Sequence, residues 1–482
     1  MRNNPVQSRI MALLAGLFFM AVLSLPMMAV EAEFPRISPS PFWLDASSWS
    51  EELSPDEIIM ATLMASGVEE NDLEKYTLRL ENLIETLAES ETFSDQSVGD
   101  YEKGELLLAW IHDNLLSRYS FHQTRMDVLL DSGENNCVSS SVLYLLMGKV
   151  IGLDVSAVET RDHVFCLVQT DEGPIDVETT TVWGFNPGIK KEFADEFNRT
   201  GFTYVPPGNY RYRKADSDKE LIALILQNRM AALQREGRHG ETVGLAVDKY
   251  TFLQNEQSRD EMNSAFKNWA SELSGMNRDE EAYLFLARTS ESNGLLEANN
   301  TVLYQLANNV VAPLINRGDH EEAAAFLTEK ASNLSNDKFL LLDKMIKESR
   351  IEQQILEVPY GQAIELAREG VSEAILTASR WRELTLYLNQ NMAIKIAEEK
   401  GWLEGTAFIE ALPANEMSLR GMSTLRNNFK QNWTAATHNE FVDYYQAGKL
   451  LEARQILEEA LQIDPENRYL RQDLRDLDRI SQ

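Results

Sequence analysis

From about residue 216 to the end of the chain, one apolar period governs the sequence. Hydrophobic residues recur at helical spacing in successive stretches of roughly 12–18 residues, with almost no alternating run that reads as strand. Helices this short cannot bury an apolar face alone, so each must stack on its neighbours, as in an α-solenoid. More than half of the 482 residues is therefore committed to helix. At 44% hydrophobic and 25% charged residues, the chain has the make-up of an ordinary globular protein with several cores. Its charge narrows the partners. With 76 acidic against 45 basic residues and a net charge of −31, it lacks the clustered cations that bind nucleic acid or anionic lipid.

The first 32 residues read as a targeting segment rather than part of the fold. Arg2 and Arg9 precede an apolar run from Met11 to Ala29, and Val30-Glu31-Ala32 offers small residues at the positions a signal peptidase requires. No cysteine follows the run, which excludes a lipid anchor. Pro26 and the acidic flank favour cleavage, with an uncleaved N-terminal anchor as the alternative. The expectation is a bacterial protein exported to the periplasm or secreted, with no membrane span after cleavage. Residues 33–99 follow as a lead-in and helical extension, in which Ser54-Pro55-Asp56-Glu57 carries the signals of a helix start. A helix with one apolar stripe is expected from Lys103 to Leu116.

Residues 100–215 differ from the rest. The turn-rich Asp131–Asn136 segment leads into Cys137, and a mostly apolar helix follows to Val150. Three strand-like runs come next, at Val155–Glu159, His163–Thr170 and Pro174–Thr181, the last two joined by the hairpin signal Asp171-Glu172-Gly173. A cysteine in the first turn of a helix sits at the positive end of the macrodipole, which favours thiolate, and the unpaired N–H groups there can hold an oxyanion. His163 can serve as its base. Asp176 and Glu178, two residues apart on the next run, share a face, and either can orient the imidazole. Cys166 should face the other side as a core residue; a disulfide to Cys137 is the alternative. Trp183, Tyr204, Tyr210 and Tyr212 are candidates to line a groove.

Taken together, Gly133–Tyr144, His163-Val-Phe165 and Ile175–Thr180 resemble the loop–cysteine–helix, His-x-aromatic strand and acid-bearing strand of the transglutaminase-like superfamily. The resemblance implies an α+β papain-type domain over 100–215 with a Cys137, His163 and acid core. Glu178, with Thr180 two residues on, matches the family register better than Asp176, which stays the alternative. Over 216–482, Tyr444, Gly448, Ala453, Leu457, Ala460 and Pro465 fall at the spacing of a tetratricopeptide repeat, so an all-α, TPR-like repeat domain is expected there. The combined expectation is a thiol acyl-transfer enzyme acting on peptide or protein amides, more plausibly by hydrolysis than by cross-linking. The repeats would bind a protein partner. The competing reading is a catalytically inactive scaffold of the same architecture. No cofactor or metal is implied: two cysteines cannot form a thiolate zinc site, and no two of the six histidines share a helical i, i+4 face.

Overall fold

The structure, a computed structural model, describes residues 35–189 and 213–480, together with Gly208 and Arg211. The targeting segment 1–32, Tyr204, Tyr210 and Tyr212 lie outside the described residues.

The helix starts obey local chemistry. Helix α1 (Pro41–Ala46) is short and lies in the segment read from sequence as a lead-in. That lead-in is anchored, because Asp248 accepts from Arg36 and from the Ser40 N–H while Trp43 packs on Phe252 with ring centroids 4.8 Å apart. Helix α2 (Pro55–Ser66) begins with a capping box between Ser54 and Glu57 and ends at Gly67 in the left-handed region, φ 74°. Helices α3 (Glu70–Ala88), α4 (Asp100–Asn114) and α5 (Met126–Ser132) follow. A two-residue parallel pairing of β1 (Arg118–Tyr119) with β2 (Glu134–Asn135) then hands the chain to α6 (Cys137–Val150).

Helix α6 has no wet face from Cys137 to Gly148. One side lies on an antiparallel sheet of β3 (Asp154–Glu159), β4 (Val164–Thr170), β5 (Gly173–Val177) and β6 (Lys214–Asp216), in the order β5-β4-β3-β6. The other sides are covered by α2, α3, α4 and by α7 (Asp218–Arg235), with α8 (His239–Leu253) packed on α7. One hydrophobic core therefore runs from Trp43 through the α6 residues and the sheet to Phe252.

This overturns the expected fold class. Helix accounts for 72% of the described residues, and the sheet consists of strands of 6, 7, 5 and 3 residues set in that helical framework. The alternating runs at 155–177 do form strands, but they are too few and too short to make an α+β papain-type domain. Contacts divide the chain after Leu295 rather than at 215, because α7 is wedged against α2 and α6 and draws α8, α9 (Glu256–Gly275) and α10 (Asp279–Ser292) into the first unit.

The second unit is helical throughout its described residues. It comprises α11 (Leu296–Arg317), α12 (His320–Ala325), α13 (Asn336–Glu357), α14 (Tyr360–Ser372), α15 (Ala378–Lys400), α16 (Trp402–Glu410), α17 (Met422–Gln446), α18 (Leu450–Ile463) and α19 (Arg468–Ile480). Successive helices pack on one another. The best repeat candidate is the α17–α18 pair, turned at Gly448 with φ 71° and packed through Ala453, Leu457 and Ala460. In place of an α+β domain joined to a TPR-like domain, the chain is a mostly helical protein of stacked helices.

Asp218 shows how the first unit is tied. Its Oδ2 accepts the Leu53 N–H at 2.7 Å and the Lys149 ammonium, joining the entry to α2, the end of α6 and the start of α7. Asp218→Ala should leave Lys149 without its buried partner and lower stability by about 3 kcal/mol, readable as a shift in the urea midpoint.

Candidate functional site

Cys137 is placed by the cap in front of it. Asn136 Oδ1 accepts the N–H groups of Val138 and Ser139, and Ser139 Oγ accepts the Asn136 N–H in return. Those bonds occupy the first-turn donors around Cys137 and leave the Cys137 N–H for an incoming acceptor. The cap itself is held from outside, since Asn136 Nδ2 donates to the Phe121 carbonyl. The short β1–β2 pairing holds the preceding turn, with Asn135 Nδ2 bonded to the carbonyls of Arg118 and Gly133.

His163 sits at the mouth of β4, where a tight turn fixes its backbone. Its carbonyl accepts from both the N–H and the Oγ1 of Thr160, at 2.8 and 2.9 Å. Glu178 leaves the end of β5 and turns back, its N–H bonded to the Gly184 carbonyl at 2.8 Å. The three side chains meet. Glu178 Oε2 pairs with His163 Nε2, and the Cys137 side chain acts electrostatically on the same imidazole. Glu178 Oε1 is spoken for as well: it accepts from Thr180 Oγ1 at 2.7 Å and from the Thr180 N–H at 3.2 Å. The carboxylate therefore has little freedom left to rotate. Thr179 clamps this turn to the nucleophile helix, with its Oγ1 2.8 Å from Ser140 Oγ and 3.0 Å from Ser141 Oγ.

The electrostatics follow from burial and pairing. Burial alone would strip the His163 ring of its charge, but the Glu178 carboxylate, its hydrogen bond and the neighbouring Cys137 side chain outweigh it and push His163 up to about 10. Burial likewise opposes charge on Glu178, while His163 and the two Thr180 bonds hold its carboxyl below the usual carboxylate range. His112, whose Nε2 donates to the Thr179 carbonyl at 3.1 Å, is moved the other way, its pKa lowered mainly by burial.

Asp176 and Glu178, the two candidate acids, have separate jobs. Asp176 is buried in a bidentate pair with Arg213, whose guanidinium lies over the Phe165 ring at 4.8 Å. It does not orient the histidine; Glu178 does. Cys166 is a free thiol in the core, 3.5 Å from the Ser141 carbonyl, and burial pushes its pKa up. Cys137 is likewise free, so no disulfide silences it. Trp183 is exposed and does not line the cavity at Cys137.

That cavity, about 550 Å³, opens onto Cys137 and His163. Its walls are the Glu159–Asp162 turn, Phe121 and His122, and one face of α7 that includes Gln227 and Asn228. Sequence reasoning missed the α7 wall, which lies some ninety residues further on and carries no local mark of chemistry. It also missed Arg213, although the pairing of two acids on one strand face was a signal that one needed a cation.

No family model matches the chain, and no curated protein matches it. Among solved structures, the crystal structure of menin that reveals its binding site for Mixed Lineage Leukemia protein matches at 12% identity and a TM-score of 0.29. That match covers 82% of this chain and 99% of menin; a likeness so slight carries no argument about fold or function. The resemblance to the transglutaminase-like superfamily is therefore withdrawn. It rested on three short segments, and the chain around them is built of helices rather than of that family's α+β core.

Two predictions follow from this geometry. A Cβ on Gly184 would stand 1.8 Å from the Glu178 carbonyl, so Gly184→Ala should displace the turn and detach Glu178 from His163. The check is loss of the downfield imidazole proton signal in an NMR spectrum with the fold retained. The pH dependence has a definite sign. The raised His163 contributes stability that is complete below its ordinary value of 6.5 and lost as pH rises through about 10. The depressed Glu178 contributes stability present above 4.5 and lost as pH falls below it. The melting-temperature gap between the parent chain and Glu178→Gln should thus be widest between those two ordinary values and shrink towards pH 10.

Proposed function

We propose that this chain is a thiol acyl-transfer enzyme acting on peptide or protein amides, with hydrolysis as its outcome. The observation that carries the reading is the buried Cys137–His163–Glu178 arrangement opening onto a cavity of about 550 Å³. In the first step Cys137 Sγ bonds to the amide carbon while its proton resides on His163. The Cys137 N–H faces the oxygen that becomes negative. The C–N bond then breaks as His163 hands the proton to the departing amine. Water, deprotonated by His163, attacks the thioester in the second half, and the sulfur leaves with the proton returned. Glu178 keeps the imidazole in register throughout and stabilises its charged form.

Export to the periplasm or beyond belongs to the same proposal and is supported by the residue pattern of 1–32. Among the described residues no helix is long and apolar enough to cross a membrane. The second unit is proposed to dock a protein partner, supported by its exposed large apolar side chains, Leu356, Leu451 and Tyr469 among them.

The test is alkylation of Cys137 by iodoacetamide at neutral pH in the purified chain, with Cys166→Ser as background, followed by hydrolysis of a fluorogenic peptide-amide library. His163→Ala should slow alkylation at least tenfold, and Cys137→Ala should reduce hydrolysis by roughly 10²–10⁴-fold. A thiol indifferent to His163 would defeat the enzymatic reading and leave the scaffold, in which the helices alone carry function.

A further inference from the structure

One wall of the cavity that opens onto Cys137 is made by α7, and two of its side chains are held in fixed orientations by residues behind them. Gln227 Oε1 accepts from Lys249 Nζ at 2.7 Å. Lys249 is buried, only 3% exposed, and is itself held by Glu261. An ammonium has no acceptor to offer, so it settles which end of the Gln227 amide it meets: the oxygen. The NH₂ end is then the part of Gln227 left for the cavity that this residue lines. Its neighbour Asn228 also lines the cavity and donates through Nδ2 to Thr124 Oγ1 at 3.3 Å, which leaves Oδ1 as an acceptor.

A donor and an acceptor side by side are complementary to the carbonyl and N–H of an extended peptide. We propose that Gln227 and Asn228 form a main-chain-reading subsite, in which Gln227 Nε2 donates to a carbonyl of the bound peptide and Asn228 Oδ1 accepts one of its N–H groups. The inference rests on the acyl-transfer reading and narrows its substrate to a peptide read by its backbone rather than by one side chain. Lys249, two layers from the reacting sulfur, acts as a positioning residue for Gln227. Neither amide touches the reacting atoms, so their effect belongs in substrate binding.

The experiment uses the full chain and two reagents for the same sulfur. Acetyl-Ala-Ala-chloromethyl ketone is a peptide: its C–Cl bond breaks as the C–S bond forms, chloride departs and the thiol proton is released. Iodoacetamide follows the same displacement without a peptide. The first variant is Gln227→Glu, which keeps an oxygen for Lys249 but replaces the donor with an anionic acceptor; Gln227→Met, which removes the donor without adding charge, is the control for that charge, and melting temperature checks the fold. The half-saturating concentration of the peptidyl reagent should rise roughly three- to tenfold in either variant, the span of one neutral hydrogen bond, with the limiting rate little changed. The ratio of peptidyl to iodoacetamide rate constants should fall by the same factor. The parent chain should in turn discriminate against a peptidyl reagent methylated on both amide nitrogens. An unchanged half-saturating concentration, or no saturation in the parent chain that iodoacetamide labels readily, would overturn the subsite. Failure of iodoacetamide to label Cys137 in the parent chain would overturn the acyl-transfer reading and the subsite with it.

Discussion

Helix α6 is buried from Cys137 to Gly148, and a helix without a wet face must be covered from every side and have its polar ends satisfied from within. The first unit is arranged to meet those two demands. The sheet takes one side, while α2, α3, α4 and α7 take the others, which is why elements distant in sequence share one core. Close approach is bought with small residues: a Cβ on Gly148 would meet Val155 at 2.6 Å, and one on Gly104 would meet the Phe185 ring at the same distance. At the N-terminal end, Asn136 and Ser139 satisfy the helix donors reciprocally. The cap that closes the helix also sets Cys137 at the edge of a cavity.

The same burial explains why so many hydrogen bonds converge on the Cys137–His163–Glu178 arrangement. An ionised pair such as His163 and Glu178 is costly to remove from water, and its attraction offsets that cost only when the remaining lone pairs and protons also find partners. Here Thr180 takes the second carboxylate oxygen, and Thr160 fixes the histidine backbone. A neighbouring carboxylate with no cation of its own would compete for the imidazole, and Arg213 prevents this by taking both oxygens of Asp176. Two acids two residues apart, one on β5 and one just past its end, are thereby separated into a structural ion pair and an orienting group.

Local features were legible in the sequence wherever the physics is local. The helix start at Ser54–Glu57, the start of α6 and the Asp171–Gly173 hairpin all appear where residue chemistry puts them, because caps and turns involve residues three or four apart. The run read as strand to Thr181 ends at Val177, where Gly184 draws the chain into a turn that side-chain alternation does not encode. The fold class was misjudged for a related reason. Alternation detects that strands exist, but how few of them there are relative to the helices that enclose them is a property of packing. Residues 35–53, read from sequence only as a lead-in, nevertheless fold, because Asp248, some two hundred residues away, holds Arg36 and Ser40.

The sequence by itself determined the helical character of everything after residue 216, the position of Cys137 at a helix start, and the presence of a histidine and two acids in order behind it. Each of these follows from periodicity or spacing over a few residues. Only the tertiary structure decided which acid meets the histidine, that α7 packs on the cysteine helix as well as on α8, and that Gln227 and Asn228 face the cavity. Those outcomes depend on burial, which selects among locally equivalent side chains by asking which partner, however distant in sequence, can satisfy them away from water.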